Sequence, residues 1–344
     1  MKNMAGRGFP VADFAGCHDR RIGMYRFRHY LLLLGLLTLP PSTALAARES
    51  SVEAPGPQGV LAGTFLDAGT KKPVVLLIPG SGATDRNGNT LSQIRPGTLR
   101  LLAEGLAEHG ISSVRIDKRG MFGSARAIPD ANNVTIHDYV TDVQSWISTI
   151  QYQTGVSCVW VAGHSEGALV ALASASSVKP LCGLILLSAQ GRPPGEVLRS
   201  QLHAEPGAQV IQPQIDGAID DLEAGKTVDP QTLHPGLRLM FRPAVQHYLI
   251  DEMHYDPVKL AAAYQGPMLL VQGGRDTQIS PEADFAPLKA AAPKADVLYL
   301  PDAIHMLKDV HGTAKADFMK AYTDPNVPLD PKLVPHIAEF VLSH

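Results

Sequence analysis

The feature that most limits what this chain can become is an alternation of short, unbroken apolar runs with longer amphipathic stretches. Pro73-Val74-Val75-Leu76-Leu77-Ile78 has no polar break and stops at Pro79-Gly80, as a strand buried on both faces does. Thr98 to His109 has helical spacing, with Thr98 read as the N-cap and Gly110 as the stop. Strand patterns recur at Ser112–Asp117, Cys158–Ala162, Leu184–Leu187, Met268–Val271 and Val297–Leu300. Helical patterns lie at Thr135–Tyr152 and Gly167–Ser176, and a closing helix runs from about Pro331 to Leu342. Leu61 to Leu66 adds an edge strand or hairpin at the start. Buried strands joined through helices build a mainly parallel sheet covered on both faces, which is the α/β class.

The stretch from Gln190 to Gln265 departs from this rhythm. It has no strand signal, many prolines, and helical patches at Val197–His203, Ile215–Leu222 and Ala244–Met253. The chain therefore divides into a core of residues 60–189 and 266–344 and an inserted helical cap of residues 190–265. In open α/β sheets ligands bind along the C-terminal edge of the strands, and an insertion after the fourth core strand lies over that edge.

Residues 1–46 stand apart from both. Leu31-Leu32-Leu33-Leu34-Gly35-Leu36-Leu37 is preceded by Arg20, Arg21, Arg26 and Arg28 and followed by Ala44-Leu45-Ala46. A basic region, an apolar run too short to span a bilayer and a small-x-small site make up a secretory signal peptide, cleaved near Ala46. The expectation is an exported protein, periplasmic or secreted, with no stable membrane span after cleavage. Cleavage removes Cys17 and leaves Cys158 and Cys182, which an oxidising compartment permits to pair. Two buried free thiols are the alternative. A net charge of −3 over 344 residues gives no electrostatic reason to expect nucleic acid or an anionic membrane as a partner.

The chemistry centres on Gly163-His164-Ser165-Glu166-Gly167. A Gly-x-Ser-x-Gly match alone is weak, but here a strand pattern feeds the serine and a helix pattern leaves it, as in a nucleophile elbow. A serine at such a turn is a poor nucleophile without a histidine base held by a carboxylate. Asp276 follows the fifth strand and His305 the sixth, in the order serine, acid, histidine. Among 13 histidines, the position after the last strand is what selects His305. Asp302 is a rival acid, read as shaping the turn; the Ser188-Ala189-Gln190-Gly191 loop offers no carboxylate. An oxyanion hole needs two preorganised N–H donors: Glu166, after the nucleophile, and Ser81, or its neighbour Gly82, in the loop after the first core strand. His247 and His254, with Asp251 and Glu252 between them, lack metal-site spacing and read as a solvated surface. Neither a metal nor a cofactor is expected.

Over roughly residues 60–344 the chain resembles the serine aminopeptidase and monoacylglycerol-lipase-like branch of the α/β-hydrolase superfamily. Gly80-Ser81-Gly82-Ala83-Thr84-Asp85-Arg86-Asn87-Gly88 resembles the Gly-Ser-Gly-x-x-Asp-Arg-x-Gly loop of its bacterial esterases, and Asp117-Lys118-Arg119-Gly120 its Asp-x-Arg-Gly turn. One departure is Pro79, where lipases of the branch carry histidine. The resemblance implies Ser165, Asp276 and His305 as a catalytic triad acting on a small-molecule acyl ester. A rival peptidase reading needs an acidic site in the cap for a free amine, which Asp251, Glu252 or Asp256 can supply. A binding protein of this fold without turnover is a second rival. Asp85 and Arg86 either brace the loop or, in the functional reading, place Arg86 against the acyl group as a substrate-binding residue.

Overall fold

The computed structural model describes residues 47–344, and these open on a hairpin of β1 (Arg48–Pro55) and β2 (Val60–Asp67). β3 (Val74–Ile78), α1 (Thr98–Glu108), β4 (Ser112–Ile116), α2 (Ile136–Thr154), β5 (Val159–His164), α3 (Glu166–Ser174) and β6 (Leu181–Leu187) follow in strict alternation. Four helices without a strand come next: α4 (Pro194–His203), α5 (Gln212–Glu223), α6 (Pro243–Met253) and α7 (Pro257–Ala263). The chain then closes with β7 (Met268–Gly273), α8 (Ala286–Ala291), β8 (Asp296–Leu300), α9 (Lys315–Thr323) and α10 (Leu333–Ser343). The proposed signal segment, residues 1–46, lies outside the described residues. Among those described, no helix is long and apolar enough to cross a membrane.

The strands form one sheet in the order β1-β2-β4-β3-β5-β6-β7-β8, with β1 and β2 antiparallel and all later neighbours parallel. The sheet thus begins at Arg48 and not at residue 60, and the edge strand is β1, which displaces Leu61–Leu66 one place inward. Its first four residues, Arg48-Glu49-Ser50-Ser51, are exposed and carry no apolar signal to read. Strand order reverses at β3, which β4 and β5 flank on either side. Crevices open at the strand C-termini where such a reversal occurs.

Alternate residues of each central strand feed two separate cores. Val74, Leu76 and Ile78 pack with the apolar faces of α2 and α3, whereas Val75 and Leu77 pack with those of α1 and α10. α2 starts in a capping box between Thr135 and Asp138 and ends at Gly155 in the left-handed conformation, which satisfies backbone groups otherwise orphaned at both ends. Thr98 is not a cap: Gly97 occupies that position, and the buried Thr98 hydroxyl donates to the Met306 carbonyl at 3.2 Å. α4, α5 and α6 share an apolar cluster of their own, around Ile215, Ile219, Leu222, Leu237, Phe241 and Met253. α7 packs instead on α3 and α8.

At the far end of the sheet from these loops, the β5–β6 ladder slips by one residue: Val159 pairs with Leu181 and Trp160 with Gly183. Cys182 is the extra residue of this bulge, and it is joined by a disulfide to Cys158, Cα to Cα 5.1 Å. A cross-link closing a loop of this size contributes about 3 kcal/mol. Denatured, unreduced protein beginning at Ala47 should therefore titrate no free thiol, and reduction should release two and lower the unfolding midpoint. Two free thiols before reduction would exclude the bond.

Candidate active site

Ser165 is the single residue between β5 and α3, with φ 56° and ψ −120°. A non-glycine residue at positive φ carries strain of about 1–3 kcal/mol unless its surroundings hold it. Here they do: the Ser165 N–H donates to Leu187 of β6 at 2.9 Å, and its carbonyl accepts from Ala168 at 2.9 Å. The flanking glycines are obligatory on contact grounds. A Cβ at Gly163 would collide with the Gly167 carbonyl, and one at Gly167 would lie 2.5 Å from the Ile78 carbonyl oxygen. The turn therefore projects the serine side chain at the C-terminal edge of the sheet.

Asp276 and His305 meet directly, Oδ2 to Nδ1 at 2.8 Å. The aspartate can only accept, so Nδ1 carries the hydrogen and Nε2 is left as the basic nitrogen. Burial alone would raise the Asp276 pKa, but His305 and the N–H groups of Ile279 and Gln278 outweigh it and hold the carboxyl below its ordinary value. The His305 carbonyl is fixed by Ser188 Oγ at 3.2 Å and by His164 Nε2 at 2.9 Å. His164 immediately precedes Ser165, and the two imidazole rings are 4.8 Å apart, centroid to centroid. Burial, with the neighbouring His305, lowers the His164 pKa to about 4, so the ring stays neutral and its Nε2–H serves as a donor. Asp302, the rival acid, is exposed and lies near His311, 3.6 Å away, and so is set aside.

Ser81, Gly82, Ser165 and Glu166 line one cavity of about 740 Å³. Neither the Ser81 nor the Glu166 N–H has an acceptor among the described residues. Its walls are largely apolar, with Met121, Phe122, Val197, Leu198, Leu249 and Met253 among them. Its polar corner holds Lys118, Tyr139, Glu166, Tyr248 and Glu252.

Arg86 does not reach the cavity: its side chain pairs with the buried Asp117 carboxylate and donates to Thr64 at 3.2 Å, while its own N–H donates to Asp117 at 2.9 Å. It braces the loop, and Asp85 folds the same loop by accepting from the Asn87 and Asn89 N–H groups. The α6 acids do not all sit on a solvated surface either. Asp251 caps α2 through the Ile136 N–H at 2.7 Å, and Asp256 caps α7, but Glu252 faces the cavity. Burial, with Glu166 nearby, pushes the Glu252 pKa up to about 8. Of the three acids offered for a cap site, only Glu252 lines the cavity, while Lys118 and Tyr248 escape the sequence reading, although Lys118 stands inside the Asp117–Gly120 motif. No group of metal ligands occurs among the described residues.

A family model described as serine aminopeptidase, S33, matches residues 97–308. The esterase EstD of Thermotoga maritima is 26% identical over 253 residues, which cover 72% of this chain. The chain spans 58% of that relative's length. Among solved structures, the esterase Pf2001 of Pyrococcus furiosus superimposes over 86% of this chain and 93% of its own, with 16% identity and a TM-score of 0.54. Est1E from Butyrivibrio proteoclasticus does so over 85% and 98%, with 15% identity and the same TM-score of 0.54. At such identities the likeness carries the fold alone, and that fold is the α/β-hydrolase fold.

The pairings above make two predictions. Arg86→Ala strands a buried carboxylate and should cost about 3 kcal/mol in urea unfolding; an unchanged midpoint would show that Asp117 has no need of it. Glu252 has a folded pKa above its unfolded 4.5, so its contribution to stability is full below that value and is lost as pH rises through about 8. Glu252→Gln should accordingly gain on the wild type between about pH 5 and about pH 8. A difference constant across that window would mean the carboxyl titrates normally.

Proposed function

Because the chain belongs to the serine aminopeptidase S33 family, we propose that it is a serine hydrolase that cleaves carboxylic esters through an acyl-enzyme. Ser165 attacks the ester carbonyl while His305 Nε2 takes its proton, and Asp276 holds the imidazole in the required tautomer. The negative charge that develops on the carbonyl oxygen is met by the Ser81 and Glu166 N–H groups, both without a partner among the described residues. The alcohol leaves with the proton from His305, and a water activated by the same nitrogen then releases the acid. The observation that carries the reading is the Asp276–His305 bond, made on a loop whose carbonyl is anchored to the residue beside Ser165. The esterase names of EstD, Pf2001 and Est1E support the ester as substrate class.

The helices α4 to α6 act in this reading as a cap, since Val197, Leu198, Leu249 and Met253 form the cavity wall opposite the loops of the sheet. Mainly apolar walls suit an acyl or alcohol group of low polarity. Glu252 gives the peptidase reading its one specific support, as an acid inside the cavity. With its pKa near 8 it is neutral at pH 7, so an ammonium group would have to expel a proton before pairing with it. The disulfide and the leader-like residues 1–46 support a place outside the cytoplasm.

Ser165→Ala should lower p-nitrophenyl acetate hydrolysis to near background and abolish labelling by a fluorophosphonate. The wild type should turn over acyl esters far faster than aminoacyl anilides. Retained ester hydrolysis in the variant would reject Ser165 as nucleophile, and preferred anilides would transfer the reading to a peptidase.

A further inference from the structure

The polar corner of the cavity holds a lysine that the acyl-transfer scheme leaves without a task. Lys118 is 3% exposed, and its ammonium makes two bonds, to Glu166 Oε1 at 2.7 Å and to the Gly80 carbonyl at 2.8 Å. It also lies 5.3 Å from the centroid of the Tyr139 ring. The two acceptors have a particular relation to the oxyanion hole. The Gly80 C=O and the Ser81 N–H are opposite ends of one conjugated peptide unit. Drawing electron density toward that oxygen leaves the nitrogen end more positive and its N–H a stronger donor, as polarisation does along any chain of hydrogen bonds. Glu166 carries the second donor on its own backbone.

We propose that Lys118 is a positioning residue of the oxyanion hole, polarising the Gly80–Ser81 peptide and tying it, through the Glu166 side chain, to the second donor. The proposal rests on the acyl-transfer reading given above. Stability alone is a poor account of the pair, because a buried lysine–glutamate bridge pays most of its attraction back in desolvation and an apolar pair serves as well. The neighbours do not share the task. Asp117 is taken by Arg86, and Arg119 by Asp138 and Asp142. Glu252, the other carboxyl in this corner, makes no ion pair among the described residues.

The test compares Lys118→Met, Glu166→Gln and the double variant with wild type. Three quantities are read: kcat and KM on a p-nitrophenyl ester, and the inhibition constant of an acyl trifluoromethyl ketone, whose adduct with the serine carries the oxyanion. Lys118→Met should lower kcat about 100-fold, within the range for loss of one oxyanion donor, with KM within about threefold and the ketone weakened in parallel with kcat. Glu166→Gln keeps the bond to Gly80 and should lose less than about tenfold. A folded Lys118→Met with near wild-type kcat and ketone affinity would overturn the proposal. So would equal losses in the two single variants, which would assign the effect to the ion pair and not to the peptide. Should Lys118→Met fail to fold with Glu166 left unpaired, the double variant removes both charges and is judged by the same kcat and ketone criteria. Fluorophosphonate labelling separates the two possible failures. A wild type unlabelled at Ser165 sinks acyl transfer itself; a labelled wild type with an unimpaired Lys118→Met sinks only the role of Lys118.

Discussion

The arrangement depends most on three consecutive charges buried where β4 ends. Asp117, Lys118 and Arg119 are each at most 4% exposed, and ions taken out of water cost several kcal/mol apiece unless paired and hydrogen-bonded. Each is satisfied by a different part of the chain. Asp117 holds the loop after β3 through Arg86, Lys118 holds that same loop to the start of α3, and Arg119 grips α2 through Asp138 and Asp142. A turn of three residues therefore fixes three segments relative to one another. None of the three can relax without stranding a buried charge, which ties down the loops beside Ser165.

That rigidity is what the strained turn at Ser165 requires. Ser165 stays at positive φ because its N–H is bonded into β6 and because α3 packs on β5 and on the end of β3 at distances only Gly163 and Gly167 allow. The same crowding puts His164 under the His305 loop, where its neutral ring donates to the His305 carbonyl. The residue beside Ser165 thereby positions His305, and backbone strain and packing share a few atoms.

Much of this is legible in the sequence, for physical reasons that differ by element. β3, β5, β6 and β7 are buried on both faces, so their apolar runs are continuous, and the loops that follow them are identified as soon as the strands are. Asp276 and His305 become readable by position, not by type. β1 is not legible, because an edge strand with exposed polar residues has no periodicity to detect. α9 likewise hides, having only Ala321 buried. The direction of Arg86 depends on Asp117, 31 residues away, and a local pattern cannot report such a partner. Glu252 is only partly legible for a related reason: the sequence offers it beside Asp251 and Asp256 without choosing among them. On α6 it looks like any polar residue of an exposed helix, and only packing of that helix against the sheet's loops turns it inward.

The sheet also separates stability from chemistry. The bulge and the disulfide between Cys158 and Cys182 sit where β5 and β6 begin, while Ser165 sits where β5 ends. At about 3.3 Å per residue, that strand keeps them roughly 20 Å apart. A covalent link at the first edge limits how far the two central strands can part without touching the geometry at the second. The edge that carries Ser165 can then hold what costs stability there: a serine at positive φ, three buried charges and a carboxyl whose pKa is raised. In the proposed acyl transfer the Ser81 and Glu166 N–H groups become favourable as charge develops on the carbonyl oxygen between them, the differential interaction by which a site lowers a barrier and does not merely bind.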